Sequence, residues 1–271
     1  MNLISASIVL YKSDHLARKT ILDFLNTEMP VLLFLIDNSP TDQLKIGLSD
    51  LIADKRVCYI FNNKNIGFGA AHNIALRQVF DNSFYHLVLN PDIFFEPGTL
   101  EKLFRFAERD KEIGLVVPKV VYPNGDIQFV CKLLPTPFDL IIRRFLPNYL
   151  VKKRKASFEL QQSGYDKLFE APYMHGCFMF LRTEVLKKVG FFDERFFMYP
   201  EDIDLTRRIH QHYKTVFFPD AKVVHVHARG SYKNVWLFFI HIQNMIKYFN
   251  KWGWFFDKER KEVNRKILSQ F

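Results

Sequence analysis

Four runs of β-branched and large apolar residues mark the first 110 positions: "ISASIVLY" (4–11), "VLLFLID" (31–37), "VCYIF" (57–61) and "YHLVLN" (85–90). Few polar residues interrupt them, which is the pattern of strands buried on both faces. Between them, "HLARKTILDFLN", "DQLKIGLSDLIA", "AAHNIALRQVF" and "GTLEKLFRFAERD" return apolar residues at helical spacing, and this predicts helices with one buried side. Strand and helix alternate, so the order predicts an α/β fold with a mostly parallel central sheet flanked by helices. Ligands of such sheets bind at the carboxyl ends of the strands. The residues that follow each run are therefore the first candidates for chemistry.

From residue 114 the pattern changes. "GLVVPKVVYPNGDI" reads as a strand and a turn, and residues 135–168 mix prolines with large apolars and a basic cluster. "MHGCFMFLR" (174–182) predicts a strand, "EVLKKVGFF" a short helix ending at Gly190, and "EDIDLTRRIHQHY" (201–213) a longer helix. Residues 214–234 read as a strand pair with a loop, and the tail from "VWLFFIHIQNMI" onward as an amphipathic helix with an aromatic, lysine-rich end. Neither internal repeats nor a low-complexity linker divide the chain. The expected organisation is one domain over 1–235, with halves at 1–110 and 111–235, followed by a helical extension over 236–271.

Charge narrows the partners. Lys and Arg number 38 against 29 Asp and Glu, a net +9, which suits a nucleic acid, an anionic membrane face or a phosphorylated substrate. Cys58, Cys131 and Cys177 are odd in number and lack metal spacing, so reduced thiols are expected. The N-terminus "MNLISASIVLYKSD" has no basic n-region or small-residue cleavage site, and no apolar run reaches about 18 residues. A cytoplasmic location is the expectation.

The strand ends carry the candidate chemistry. "IDNSPTD" sets Asp37, Asn38 and Ser39 after the second run, though the same residues also build an ordinary turn. In "NNKNIGFGAAHN", Gly67 and Gly69 enter a helix, where small residues let a phosphate-bearing ligand approach the helix N-terminus. The spacing is neither the dinucleotide fingerprint nor a phosphate-loop lysine motif. Asn90-Pro91-Asp92 places a carboxylate of the kind that ligates Mg²⁺ or Mn²⁺ beside substrate phosphates. Behind it runs Ile93-Phe94-Phe95, which a simple turn does not need. "FFMYPEDIDLTRR" puts Glu201, Asp202 and Asp204 at a helix start. Acids suit that position through the helix dipole alone, yet an apolar lead-in raises a carboxyl pKa toward that of a general base. "VVHVHARGSYK" holds His225 and His227 on one strand face, with Arg229 and Lys233 behind: a metal–phosphate site or a pair of packed histidines.

Taken together, "SIVLYKSD", "IDNSP", "NIGFGAAHN", "LNPDIFFEPGTL", "HGCFMFLRTEVLKKVGFFDERFFMYPEDIDLTRR" and "VVHVHARGSYK" resemble a family-2 glycosyltransferase of the GT-A fold, over about residues 1–235. The resemblance is strongest to the rhamnosyltransferase-like branch of bacterial surface-polysaccharide assembly. It implies that Asp37 hydrogen-bonds the pyrimidine of a nucleotide-sugar, with Tyr11 and Asn38 in the same region. It implies that Asn65, Gly67 and Asn73 lie near the nucleotide. Asp92 matches the last acid of the family's Asp-x-Asp metal motif. Asn90 stands at the first acid, so with one carboxylate the metal leans on the donor diphosphate. Asp202 matches the base, with Glu201 as the competing assignment. His225 or His227 matches the late histidine that reaches metal or diphosphate.

The activity implied is an inverting transfer, with L-rhamnose from dTDP-rhamnose as the leading donor, to a hydroxyl of a polysaccharide or lipid-diphosphate-linked oligosaccharide. UDP-hexose or UDP-N-acetylhexosamine donors stay open. A sugar nucleotidyltransferase lacks support because "IVLYKSDHLARKT" has no glycine-rich loop. A nucleic-acid binder fits the charge, but no recognition motif accompanies it. Basic and aromatic residues cluster at 138–155 (Arg143, Arg144, Lys152, Lys153, Arg154, Lys155) and in the tail (Lys247, Trp252, Trp254, Phe255, Phe256, Lys258). Such segments suit the inner face of an anionic membrane.

Overall fold

The computed structural model describes residues 2–12, 15–142, 146–226 and 235–271. The four apolar runs become β1 (Asn2–Leu10), β2 (Val31–Asp37), β3 (Val57–Phe61) and β4 (Ser83–Leu89). Helices α1 (Ala17–Leu25), α2 (Gln43–Gly47), α3 (Ser49–Ile52) and α4 (Phe68–Val79) connect them. β1 pairs in parallel with β2 and β4, and β2 with β3, as the alternation predicts. The second half adds β5 (Ile93–Phe95), α5 (Thr99–Glu108), β6 (Ile113–Val121), β7 (Cys131–Lys132), α6 (Pro137–Leu140) and α7 (Asn148–Phe158). It continues with β8 (Phe169–Glu170), β9 (Tyr173–Met174), β10 (Phe178–Arg182), α8 (Leu186–Val189), α9 (Glu201–His210), β11 (Lys214–His225), α10 (Val235–Trp252) and α11 (Lys258–Leu268).

The main sheet runs β3-β2-β1-β4-β10-β6-β11-β5, with β8 also on β11. β10 enters antiparallel between β4 and β6, whereas β6 and β11 pair in parallel. Four ladder steps separate β4 from β5, about 19 Å in a flat sheet. Yet only Asn90, Pro91 and Asp92 connect them, a reach of at most about 14 Å. The sheet therefore curls and brings its far edge under the carboxyl end of β4. This explains the second apolar stretch: Ile93–Phe95 is an edge strand whose Ile93 pairs with His225.

Three segments differ from the sequence expectation. Residues 214–225 form one strand whose register shifts between Phe218 and Lys222, rather than the start of a strand pair. Pro219 lies in the shift and has no N–H for the ladder, so the strand bulges instead of turning back. Asn148–Phe158, read only as a basic mixed segment, is a helix. The tail is two helices, because Gly253 takes φ +98 after α10 and Asp257 caps α11 by accepting the Arg260 N–H.

Those two helices join the main core: Met245, Tyr248, Phe249 and Ile267 belong to the same buried cluster as the strands. Arg207 of α9 is buried against them. Its guanidinium donates to both Asp257 oxygens at 2.9 and 3.0 Å and to Glu259 at 2.6 Å, and lies 4.1 Å from the Trp252 ring centre. Lys251 reaches the buried Asp204 at 2.6 Å, and Trp252 Nε1 donates to the same carboxylate. Of the tail aromatics, Trp252 thus faces inward, while Phe255 and Phe256 stand in solvent. No described helix is long and apolar enough to cross a membrane.

Candidate functional site

A cavity of about 530 Å³ opens at the carboxyl ends of the parallel strands, where the fold class predicts it. Tyr11, Asn38, Asn65, Gly67, Asn90, Asp92 and His225 line it together with His15, Phe68 and Met198. Asn38 joins two of its loops: its amide donates to Asn65 Oδ1 and Gly67 O at 3.3 Å, and its oxygen accepts from Asn62 at 2.8 Å. Gly67 holds φ +90, and a Cβ there would meet Phe197 O at 2.5 Å. This close approach lets the Phe197 carbonyl accept the Phe68 N–H at 3.0 Å, and so ties α4 to the segment leading into α9.

Asp37 and Asn73 are buried behind the cavity and do not line it. Asp37 Oδ1 accepts the Ser39 N–H at 2.8 Å, and Oδ2 accepts the Tyr59 hydroxyl. Its carboxylate shapes the loop that carries Asn38. Burial, and then this bond to Asp37, push the Tyr59 phenol far up. The Asn73 side chain bonds the Phe192 N–H and carbonyl and Glu194 Oε1 at 2.8–3.0 Å, so it docks the Phe192 segment onto α4 rather than facing a ligand.

The pairing of β5 with β11 brings Asp92 to His225: Oδ1 lies 3.3 Å from Nε2, and Val226 N–H donates to Asp92 O at 3.0 Å. His225 Nδ1 lies 2.9 Å from Gln128 Oε1, and Gln128 Nε2 donates to the His225 carbonyl. Gln128 thereby assigns the Nδ1 proton and turns Nε2 to Asp92, the second-shell arrangement of a ligating histidine. Burial works to lower His225, but bonds to Asp92 and to Cys177 outweigh it and raise the imidazole to about 10. The pair thus favours a positive charge, either a proton or a divalent cation. Among the described residues no group of three His, Cys, Asp or Glu could hold a metal. Two protein donors fit Mg²⁺ or Mn²⁺, which take most remaining ligands from substrate phosphates and water. His227, the alternative histidine, lies outside the described residues, as do Arg229 and Lys233.

Asp202 and Glu201 are both buried at the start of α9. Asp202 Oδ2 accepts the Gly176 N–H at 2.9 Å and Oδ1 that of Ile203 at 2.7 Å. Burial raises its carboxyl to about 6, against these two N–H groups and the charge of Lys132. Burial and then the charge of Asp202 push Glu201 well above the carboxylate range, and its Oε2 has no hydrogen-bond partner among the described residues. Tyr199, three residues before Asp202, holds φ +91, a strained backbone for a residue with a side chain. Asn244 of α10 steadies this turn by donating to Met198 O at 2.9 Å.

A second cavity of about 310 Å³ shares His225 and is lined by Gln128, Lys132, Lys155, Glu159 and His175 among others. Gly176 follows His175, and a Cβ on it would touch Asp202 Cβ at 3.2 Å and the Phe68 ring at 3.3 Å. Asp202 is therefore covered by Gly176, whose neighbour His175 lines the second cavity and which approaches Phe68 of the first, and it lines neither cavity itself. Sequence reasoning missed Gln128, Lys132 and His175. Only the "HG" of "MHGCFMF", directly before a predicted strand, was a signal for any of them.

The model of Glycosyl transferase family 2 matches residues 5–190. N-acetylglucosaminyl-diphospho-decaprenol L-rhamnosyltransferase of Mycobacterium tuberculosis is 26% identical over 217 residues, 76% of this chain and 70% of that protein. Mannosyltransferase PcManGT from Pyrobaculum calidifontis, solved with GDP-Man and Mn²⁺, superposes with a TM-score of 0.60 at 17% identity, over 92% of this chain and 64% of that one. GalNAc-T7, solved with UDP, GalNAc and Mn²⁺, gives 0.65 at 18% identity, over 84% and 43%. The overlay shows a common fold, the GT-A arrangement.

Proposed function

The chain belongs to glycosyl transferase family 2, in its rhamnosyltransferase-like type, and from this we propose an inverting transfer of a sugar from a nucleotide-sugar to an acceptor hydroxyl. L-Rhamnose from a deoxythymidine diphosphate donor is the leading choice, with a glycan or lipid-diphosphate-linked oligosaccharide as acceptor. The observation that carries this reading is Asp202, a buried carboxylate with a pKa near 6, set directly behind Gly176 and between residues that line two cavities.

The first cavity receives the donor. Tyr11 offers a ring at its rim, and Asn38 and Asn65 present amide groups held in place by their mutual bond. Among the described lining residues there is no lysine or arginine to meet a diphosphate; Asp92 and His225 would hold Mg²⁺ or Mn²⁺ there, and such an ion would supply charge neutralisation for the leaving diphosphate. Asp202 takes the proton of the acceptor hydroxyl, and the oxygen attacks the anomeric carbon opposite the leaving group, inverting its configuration. The Gly176 and Ile203 N–H groups keep the base ionised near neutral pH. Glu201, held neutral, adds no second charge.

Exposed Tyr149, Leu150, Phe255 and Phe256, near Lys152, Lys153 and Lys258 in sequence, support a peripheral seat on an anionic membrane. Flotation with anionic liposomes at low salt tests it. The transfer itself is tested by a panel of nucleotide-sugars with Mn²⁺ or Mg²⁺, scored for thermal shift and donor hydrolysis. A product that retains the anomeric configuration of the donor would exclude the inverting mechanism.

A further inference from the structure

The tail folds a groove into its own surface. This cavity of about 440 Å³ lies between α11 and the segment at Thr136, with Phe255, Lys261, Arg265 and Leu268 among its walls. The fold fixes those walls. Asn264 clasps the Leu134 backbone, accepting its N–H at 2.8 Å and donating to its carbonyl at 2.9 Å. Arg260, a buried member of the lining, donates to the Pro135, Gly253, Trp254 and Phe255 carbonyls at 3.1–3.4 Å. One guanidinium thus ties the loop between α10 and α11 to the segment that leads into α6.

The groove is cationic and apolar at once. Arg260, Lys261 and Arg265 line it, and no carboxylate does among the described residues. Acids close by in sequence are engaged elsewhere or face away. Asp257 and Glu259 bind Arg207, Asp139 binds Thr136 and Arg154, and Glu262 lies about 100° around the helix from Lys261. Lys261 and Arg265 are exposed and make no ion pair among the described residues. Lys258, Lys261, Arg265 and Leu268 follow at steps of three and four, so they share one face of α11. Phe255 and Leu268 stand in solvent, and their neighbour Phe256 is 95% exposed.

We infer that this groove binds one anionic membrane phospholipid, its phosphate met by Lys261 and Arg265 and its acyl chain lying against Phe255 and Leu268. The inference rests on the proposed membrane seat, to which it adds a fixed lipid site. Charge complementarity selects the head of the occupant, since lysine and arginine make charge-assisted bonds to phosphate oxygens. The apolar walls select the rest of it. A soluble phosphate would leave Phe255 and Leu268 in water, whereas an acyl chain removes them from it. Because the groove is preformed, little ordering opposes binding. The site also joins the two parts of the seat: Arg154 of α7 donates to the Thr136 hydroxyl at 2.9 Å, which docks the helix bearing exposed Tyr149 and Leu150 at the edge of the groove.

Calorimetry on the full chain at low salt tests this, with dihexanoylphosphatidylglycerol titrated in below its critical micelle concentration. The expected result is saturable binding that weakens about tenfold in Lys261→Ala and in Arg265→Ala. Lys102→Ala, on exposed α5 surface, is the unaffected control. Both substituted side chains of α11 are exposed, so the variants fold. No binding, or unchanged affinity in both variants, overturns the inference. Glycerol phosphate in parallel identifies the source: weaker binding than the lipid supports a lipid site, and equal affinity overturns it in favour of a soluble phosphate. Failure of the membrane seat shows separately, as absence of flotation with vesicles of phosphatidylcholine and phosphatidylglycerol while the short-chain lipid still binds.

Discussion

Asp202 and Glu201 are neighbours on one helix, but only Asp202 receives two backbone N–H groups. Those donors keep its pKa near 6 in a site that drives Glu201 far higher. Asp202→Asn is therefore expected to lower the turnover rate about 10²–10⁴-fold, with nucleotide affinity kept; Glu201→Gln should cost about tenfold or less. Steady-state kinetics with a nucleotide titration checks both. In the proposed role Asp202 acts as a carboxylate, so in the unsubstituted enzyme the rate should rise with pH through about 6 and level above it. A rate independent of pH from 5 to 8 would remove Asp202 from the role. That an acid pair mattered was readable in "PEDID". The resemblance favoured Asp202 over Glu201, but the contact that sets the two apart was not readable, because its donor, Gly176, comes from 26 residues upstream. For Asp37 and Asn73 the sequence did not show the loop-bracing bonds: a strand-end acid and a helix-start amide read the same whether or not they also brace a loop.

Elements explain why the site forms where it does. β5 is three residues long, yet it decides the register that pairs Ile93 with His225 and so brings the neighbouring Asp92 to its ring. The bare backbone of Gly67 lets α4 approach the Phe197 carbonyl of the α9 lead-in. Gly67→Ala places a Cβ against a backbone oxygen at a positive φ, so a loss of at least about 2 kcal/mol is expected, from strain of about 1–2 kcal/mol plus the displaced contact. The urea midpoint reports this, and a shift below about 0.5 kcal/mol would mean the loop moves freely. The parallel strands and their helices were legible because local periodicity alone specifies them. α7 was not: its apolar residues are too few for a helical stripe, and tertiary contacts decide its state.

At the scale of the molecule, 236–271 behaves as part of the core rather than as an appendage. Removing it would strip Arg207 and Asp204 of buried partners and expose the strands' cluster at Tyr248 and Phe249. Breaking a buried ion pair alone costs about 3–5 kcal/mol, a large share of a typical 5–15 kcal/mol total. Chain 1–235 is expected to be insoluble or to lack a cooperative melt; a soluble, cooperative 1–235 would restore the extension as a separate unit. Acid sensitivity is also global. Burial keeps His72 well below its usual pKa, His86 near 3 and His210 near 4. Between pH 6 and 5 the unfolded chain binds their three protons and the folded chain does not. Asp202 and Glu201 oppose this, each holding a proton in the folded state that the unfolded state has released. His225 is charged in both states there and leaves the slope unchanged. The net is about one proton, so stability should fall by about 1.4 kcal/mol per pH unit on acidification. Urea titrations at pH 6 and 5 measure that slope, and a flat or inverted slope would contradict it. The strand order, which sequence periodicity does not specify beyond the parallel half, has a consequence during synthesis. β4 waits for β10, whose residues 178–182 emerge about ninety positions later. At ~5–20 residues per second, the nascent parallel half holds an open apolar strand edge for about 5–20 s. The strand that follows Gly176 is therefore also the one whose late arrival ends the chain's window for mispairing on the ribosome.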